Sequence, residues 1–164
     1  MTKLQKVLII GVILLPIPLF WINYLMTPNP GSSSGNGNPA IIVVVILFIL
    51  LFFLIYLWFR LFNQYLLKPI FLVFGIFFTI THLIIAYLYQ RHLFIKYRQV
   101  LIEAYEKKFD YVDWEYIEQI TSFMSIHINN QLFNVNTYFM YISISILVAL
   151  IFYTIKRFLI YKSY

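Results

Sequence analysis

The side chains whose types invite chemistry are His82, His92 and His127, the carboxylates from Glu103 to Glu118, and the serine run Ser32-Ser33-Ser34. Apart from tyrosines, His82 is the one ionisable side chain in the middle of a long apolar run. Ionisable groups inside a membrane are costly and often mark proton relays or ligand sites, and Thr79 and Thr81 stand beside it. Packing explains it more simply. A neutral imidazole hydrogen-bonded to a neighbouring helix, at Ser143 or Ser145, would satisfy the ring without any transport role. No carboxylate falls within an apolar run, so a proton relay through buried carboxylates is excluded.

His92 and His127 could be grouped with Glu103, Glu106, Asp110, Asp113 and Glu115 as metal ligands. Their spacing matches neither the paired-histidine helix motifs of zinc sites nor an EF-hand loop, and carboxylates on solvated amphipathic helices need no metal to explain them. The serine run has no base or oxyanion donor in its neighbourhood, and a nucleophile needs both held in place. The chain contains no cysteine, which removes thiolate catalysis, thiolate metal sites and disulfides together. The expectation is a protein that is not an enzyme and carries no cofactor and no metal.

One segment, Asp110-Tyr111-Val112-Asp113-Trp114-Glu115-Tyr116, mixes acids with aromatics. Aromatic side chains dominate the energetics of protein contacts, so Tyr111, Asp113, Trp114, Glu115, Ile117 and Phe123 are candidates for binding a partner. An interfacial helix resting Trp114 and Tyr111 among lipid headgroups is the alternative. Anionic lipids would repel its acidic face.

These residues must be positioned by elements that composition describes well. Of 164 residues, 62% are hydrophobic and 11% charged, where soluble domains carry about 25% charge. So few charges cannot cover a water-facing surface. Four runs without charge, at about 7–26, 40–59, 69–90 and 137–155, each approach the roughly 20 residues an α-helix needs to cross a bilayer. The predicted fold is an all-α integral membrane protein with four transmembrane helices, forming a single membrane domain over 1–164. A helical amphipathic insert at 90–136, not independently folded, lies between the third and fourth.

The first run follows Lys3 and Lys6 and lacks a small-residue cleavage site, as an uncleaved signal anchor does. Pro16 and Pro18 predict a kink near residues 12–16. Residues 27–39, rich in Pro, Gly, Ser and Asn, read as a flexible connector. The second run has no polar stripe and reads as the most lipid-exposed span. Residues 60–68 read as a turn before Pro69. In the third run Gly75, Thr79, His82 and Ala86 recur at i, i+4, i+7 and i+11 and form one small, polar face. The fourth carries Ser145 and Ala149 as a small-xxx-small pair, so these two faces are expected to pack together. The insert should hold amphipathic helices at about 91–109 and 113–129. Asp113 is placed to cap the second, the first has the option of simply continuing the third span, and 129–134 forms a turn.

The net charge of +6 is not gathered on a contiguous basic face, which argues against nucleic acid. Lys3, Lys6, Arg60, Lys68, Lys156, Arg157 and Lys162 would share one side of the membrane, against Arg91, Lys96, Arg98, Lys107 and Lys108 on the other. The positive-inside bias therefore favours cytoplasmic termini in a plasma membrane, with 90–136 extracytoplasmic. The Ile/Phe/Tyr/Asn/Lys-rich usage looks like that of an AT-rich bacterium. The expected function is an accessory, regulatory or immunity-type subunit, in contact with membrane lipid, that binds another membrane or envelope protein or a second copy through 90–136. No small-molecule substrate is evident. The alternative is a small oligomeric channel or transporter with His82 on the polar face of the third span.

Overall fold

A computed structural model describes residues 3–33 and 37–162, and all regular structure among them is helical. Ser34 of the serine run lies outside the described residues, as do the side chains of Lys3, Lys6 and Lys162. The helices are α1 (Lys3–Leu14), α2 (Pro16–Leu25), α3 (Ala40–Tyr65), α4 (Pro69–Phe109), α5 (Trp114–Ile120), α6 (Asn129–Leu132) and α7 (Val135–Lys162), with a 3-10 turn at Ile126–Ile128. Four stretches are long and apolar enough to cross a membrane: Val7–Leu25, α3, α4 and Val135–Ile160.

The break between α1 and α2 falls at Leu15, next to Pro16, which has no N–H to give the preceding turn. Beside the break, the Tyr138 hydroxyl donates to the carbonyl of Ile13 at 2.9 Å. That contact also ties the first stretch to α7.

Helix α7 packs against both α3 and α4. Leu47 and Leu54 on α3 are buried at a spacing of seven, and so are Leu72, Thr79 and Ala86 on α4. Residues seven apart stay on one face of a helix, so each forms a continuous seam. On α7, Ser145, Ala149, Leu150 and Tyr153 are buried. Helix α3 is no more exposed than α4: the same fraction of its apolar window is buried, and it also touches α1 and α2. Its expected standing as the most lipid-exposed span therefore fails. A purely apolar helix can carry a packing stripe that polarity does not mark.

Two boundaries differ from the sequence reading, and for α4 the structure takes the continuation that the reading left open. Residues 60–65 continue α3, and only Leu66–Lys68 turn the chain, with Leu66 in the left-handed region at φ 44°. Helix α4 does not stop at residue 90. Its 41 residues make it roughly 60 Å long, about twice a bilayer core, so the predicted helix at 91–109 is its extension. The helix expected at 113–129 closes after Ile120, and the chain turns at Met124 with φ 68°. Positive φ is rare for a residue with a side chain.

Candidate functional site

Two places gather the candidate residues: the seam between α4 and α7, and the cap formed by the α4 extension, α5 and the connectors around them.

In the seam, α4 and α7 run antiparallel. Gly75 faces Leu150, whose Cδ1 would sit 3.2 Å from a Cβ at that position. Farther along, His82 Nδ1 is 3.0 Å from the hydroxyl of Ser143, and Asn136 Nδ2 donates to the carbonyl of Ala86 at 3.0 Å. Thr79 is buried and turns its hydroxyl back to the carbonyl of Gly75 at 2.8 Å. Ser145 does the same within α7, donating to Ile142. Gly75, Thr79, His82 and Ala86 thus all lie along the α7 side. The partner of His82 is Ser143 rather than Ser145, and Ser145 and Ala149 are fully enclosed. The imidazole is half-buried and held by one hydroxyl, an arrangement suited to joining two helices.

The cap is held by amide side chains. Gln90 Nε2 donates to the carbonyl of Gln131 at 2.8 Å, while Asn134 and Asn136 both donate to Gln90 Oε1. Asn38 and Asn129, both buried, exchange two hydrogen bonds at 2.8 and 3.1 Å. Asn38 Nδ2 also donates to the carbonyl of Met124, and its Oδ1 accepts from the first amide of α3. The Asn38 pair thus holds the left-handed turn at Met124 against the start of α3. The segment 129–134, expected as a plain turn, is this clamp together with the short α6. The connector 27–39 is likewise not merely a flexible link. Lys108 Nζ donates to the carbonyl of Gly31 at 2.7 Å and the Tyr105 hydroxyl to that of Ser32 at 2.6 Å. Gly31 has φ 81° and approaches the backbone of Ala104, where a side chain would crowd the Ala104 oxygen.

Sequence reasoning missed Asn38, Gln90, Asn129 and Asn134. The density of amides at 129–136 was the available signal, but amides also favour turns, and their partners lie far away in the chain.

The insert has a small core of its own. Leu101, Tyr105, Ile117 and Ile120 are buried together, so α5 covers the apolar stripe of the α4 extension. Ile117, a candidate for partner contact, is wholly buried and instead belongs to this core. Asp113 caps α5, its Oδ1 accepting from Tyr116 N at 3.0 Å. Burial raises the pKa of the Tyr105 hydroxyl, and desolvation lowers that of His127, which lies buried under the α5–α6 connection.

The remaining candidates point outward. Tyr111, Trp114 and Phe123 are 64%, 59% and 76% exposed, and Asp113 and Glu115 are exposed between them. All six carboxylates are exposed. Phe123 stands at the edge of a polar cleft of about 290 Å³ that also includes Asn38, Tyr116, Ser125 and His127. Among the described residues, no three His, Asp or Glu side chains converge as a metal site. Comparison with protein-family models, with curated proteins and with solved structures finds no match to this chain.

Proposed function

We propose that the chain is a non-catalytic multi-pass protein of a bacterial plasma membrane, with both termini cytoplasmic. Its cap is extracytoplasmic and binds another membrane or envelope protein, as an accessory, regulatory or immunity-type subunit does. The observation that carries this reading is the exposure of Tyr111, Trp114 and Phe123 among uncovered carboxylates, on a cap whose own core is already complete. Large aromatics left in water next to fixed charges are what a protein partner covers, with the aromatics supplying affinity and the acids selecting the partner. An anionic membrane surface would be repelled by the same acids.

The reading is tested with a photocrosslinking amino acid in place of Trp114 in native membranes, with products identified by mass spectrometry. Capture of one dominant protein, lost when Tyr111→Ala and Phe123→Ala are added, supports it. Capture of lipid alone refutes it. The channel alternative depends on His82, and the hydrogen bond between that ring and Ser143 is accounted for by helix packing.

A further inference from the structure

At the end of the bundle opposite the cap, α3 and α7 line an apolar groove of about 530 Å³ open to the side. Phe52, Ile55, Tyr56 and Phe59 form one wall, and Phe152 and Ile155 start the other. One cation, Lys156, enters this lining, and Leu159 and Ile160 continue it past Lys156. Arg60, one turn beyond Tyr56 on the α3 wall, is exposed and holds its guanidinium 5.8 Å from the Tyr56 ring centre. We propose that this groove is a binding site for one anionic phospholipid, with an acyl chain between α3 and α7 and the headgroup phosphate at Lys156 and Arg60.

Three observations support this occupant. The first is register. The pairs Leu47–Tyr141, Phe62–Tyr153 and Asn63–Lys156 show that α3 and α7 run parallel. In that register Arg60 lies within about one helical turn of Lys156 along the bundle axis. Phe52 lies roughly 16 Å deeper, close to the depth of one leaflet's hydrocarbon. The groove is therefore as long as an acyl chain and carries its charges at the level of a headgroup.

The second is charge. Every Asp and Glu of the chain lies between Glu103 and Glu118, at the far end of the fold, so no acidic side chain neutralises this pair. The third is unused hydrogen-bonding capacity. An ammonium has three donors. Lys156 gives one to Asn63 Oδ1 and rests its Nζ 5.7 Å from the Phe59 ring centre, which fixes its position at the groove. Arg157, by contrast, points away from the groove and donates to the carbonyl of Leu67 at 2.6 Å.

The test is native mass spectrometry of the full chain in neutral detergent, titrated with dioleoyl phosphatidylglycerol or dioleoyl phosphatidylcholine. One phosphatidylglycerol should bind per chain in preference to phosphatidylcholine. Lys156→Gln should weaken phosphatidylglycerol about tenfold, the size of one charge-assisted hydrogen bond, while Lys156→Arg retains it. Ile155→Trp, which fills the groove and keeps the charge, should weaken both lipids. Lys68→Gln, at the same end but outside the groove, should leave binding unchanged, and inorganic phosphate should not compete. Helicity of each variant in the same detergent separates loss of the site from loss of fold. The absence of a headgroup preference in the parent chain overturns the proposal. So does equal weakening by Lys68→Gln, which is diffuse attraction, or full binding by a folded Ile155→Trp.

Discussion

At the residue scale, small side chains matter where two helices meet and large ones are tolerated where none do. Ala86 is buried in the α4–α7 seam with its carbonyl taken by Asn136. Ala86→Phe should cost about 1–3 kcal/mol, the usual penalty of overpacking. Phe78, on the same helix but 73% exposed, should accept leucine with a change near zero. Thermal unfolding in detergent measures both, and equal tolerance at the two sites would refute the seam. His127 makes a second prediction, in pH. Its folded pKa is lowered by desolvation, so the folded state favours the neutral ring. The resulting stability is complete above the unfolded value near 6.5 and declines as the pH falls from there through the lowered folded value. Protection of the cap amides, measured relative to their intrinsic exchange rates at each pH, should therefore fall on going from about pH 7.5 to about pH 5.5, and His127→Gln should flatten that change. Parallel profiles for the two proteins would remove His127 as the cause.

At the element scale, the continuity of α4 decides how the cap is held. Pro69 opens the helix, where a missing N–H costs little. The helix ends 41 residues later at Asp110, which adopts φ 60° with its N–H bonded to the carbonyl of Glu106. Between these ends one rigid rod joins the apolar bundle to the cap core at Leu101 and Tyr105. Ile95 is exposed midway, so Ile95→Pro would remove no buried contact. It would break the helix at a cost of about 3 kcal/mol or more. Amides of residues 97–120 should then lose protection from exchange while those of 72–86 keep theirs. Uniform protection in the variant would show that the cap is held by its loops and not by α4. The loops do contribute, through Lys108 and Tyr105 on the connector and Asn38 on Asn129, and for that reason the cap should loosen rather than unfold.

At the scale of the whole molecule, charge is separated along the bundle. The acids and the amide clamp lie at one end. At the other, Lys156 and Arg157 reach back to Asn63 and to the carbonyl of Leu67 beside the α3–α4 turn. Those contacts give the basic residues a structural use within the fold. The proposed orientation is checked by single cysteines in a chain that has none of its own. Ser33 and Gln64 are both exposed. In intact cells Ser33→Cys should react with an impermeant thiol reagent and Gln64→Cys should not. The reverse pattern would invert the protein and place the lipid groove in the outer leaflet.

The chain's pattern alone was enough to determine the four apolar helices, the break at Pro16, the cap of α5 by Asp113 and the polar face from Gly75 to Ala86. Each follows from local physics: the length of an uncharged run, a missing N–H, a carboxylate beside free amides, a helical period. Tertiary structure decided the rest. An all-apolar helix has no polarity contrast to mark its packed stripe, so the Leu47–Leu54 seam could be seen only against α7. The amphipathic stripe holding Ile117 looked available to a partner until α5 folded onto Leu101 and Tyr105. Asparagine favours turns when read locally. Its role as a clamp between residues 38 and 129 depends on a partner 91 positions away, and only the fold brings the two amides together.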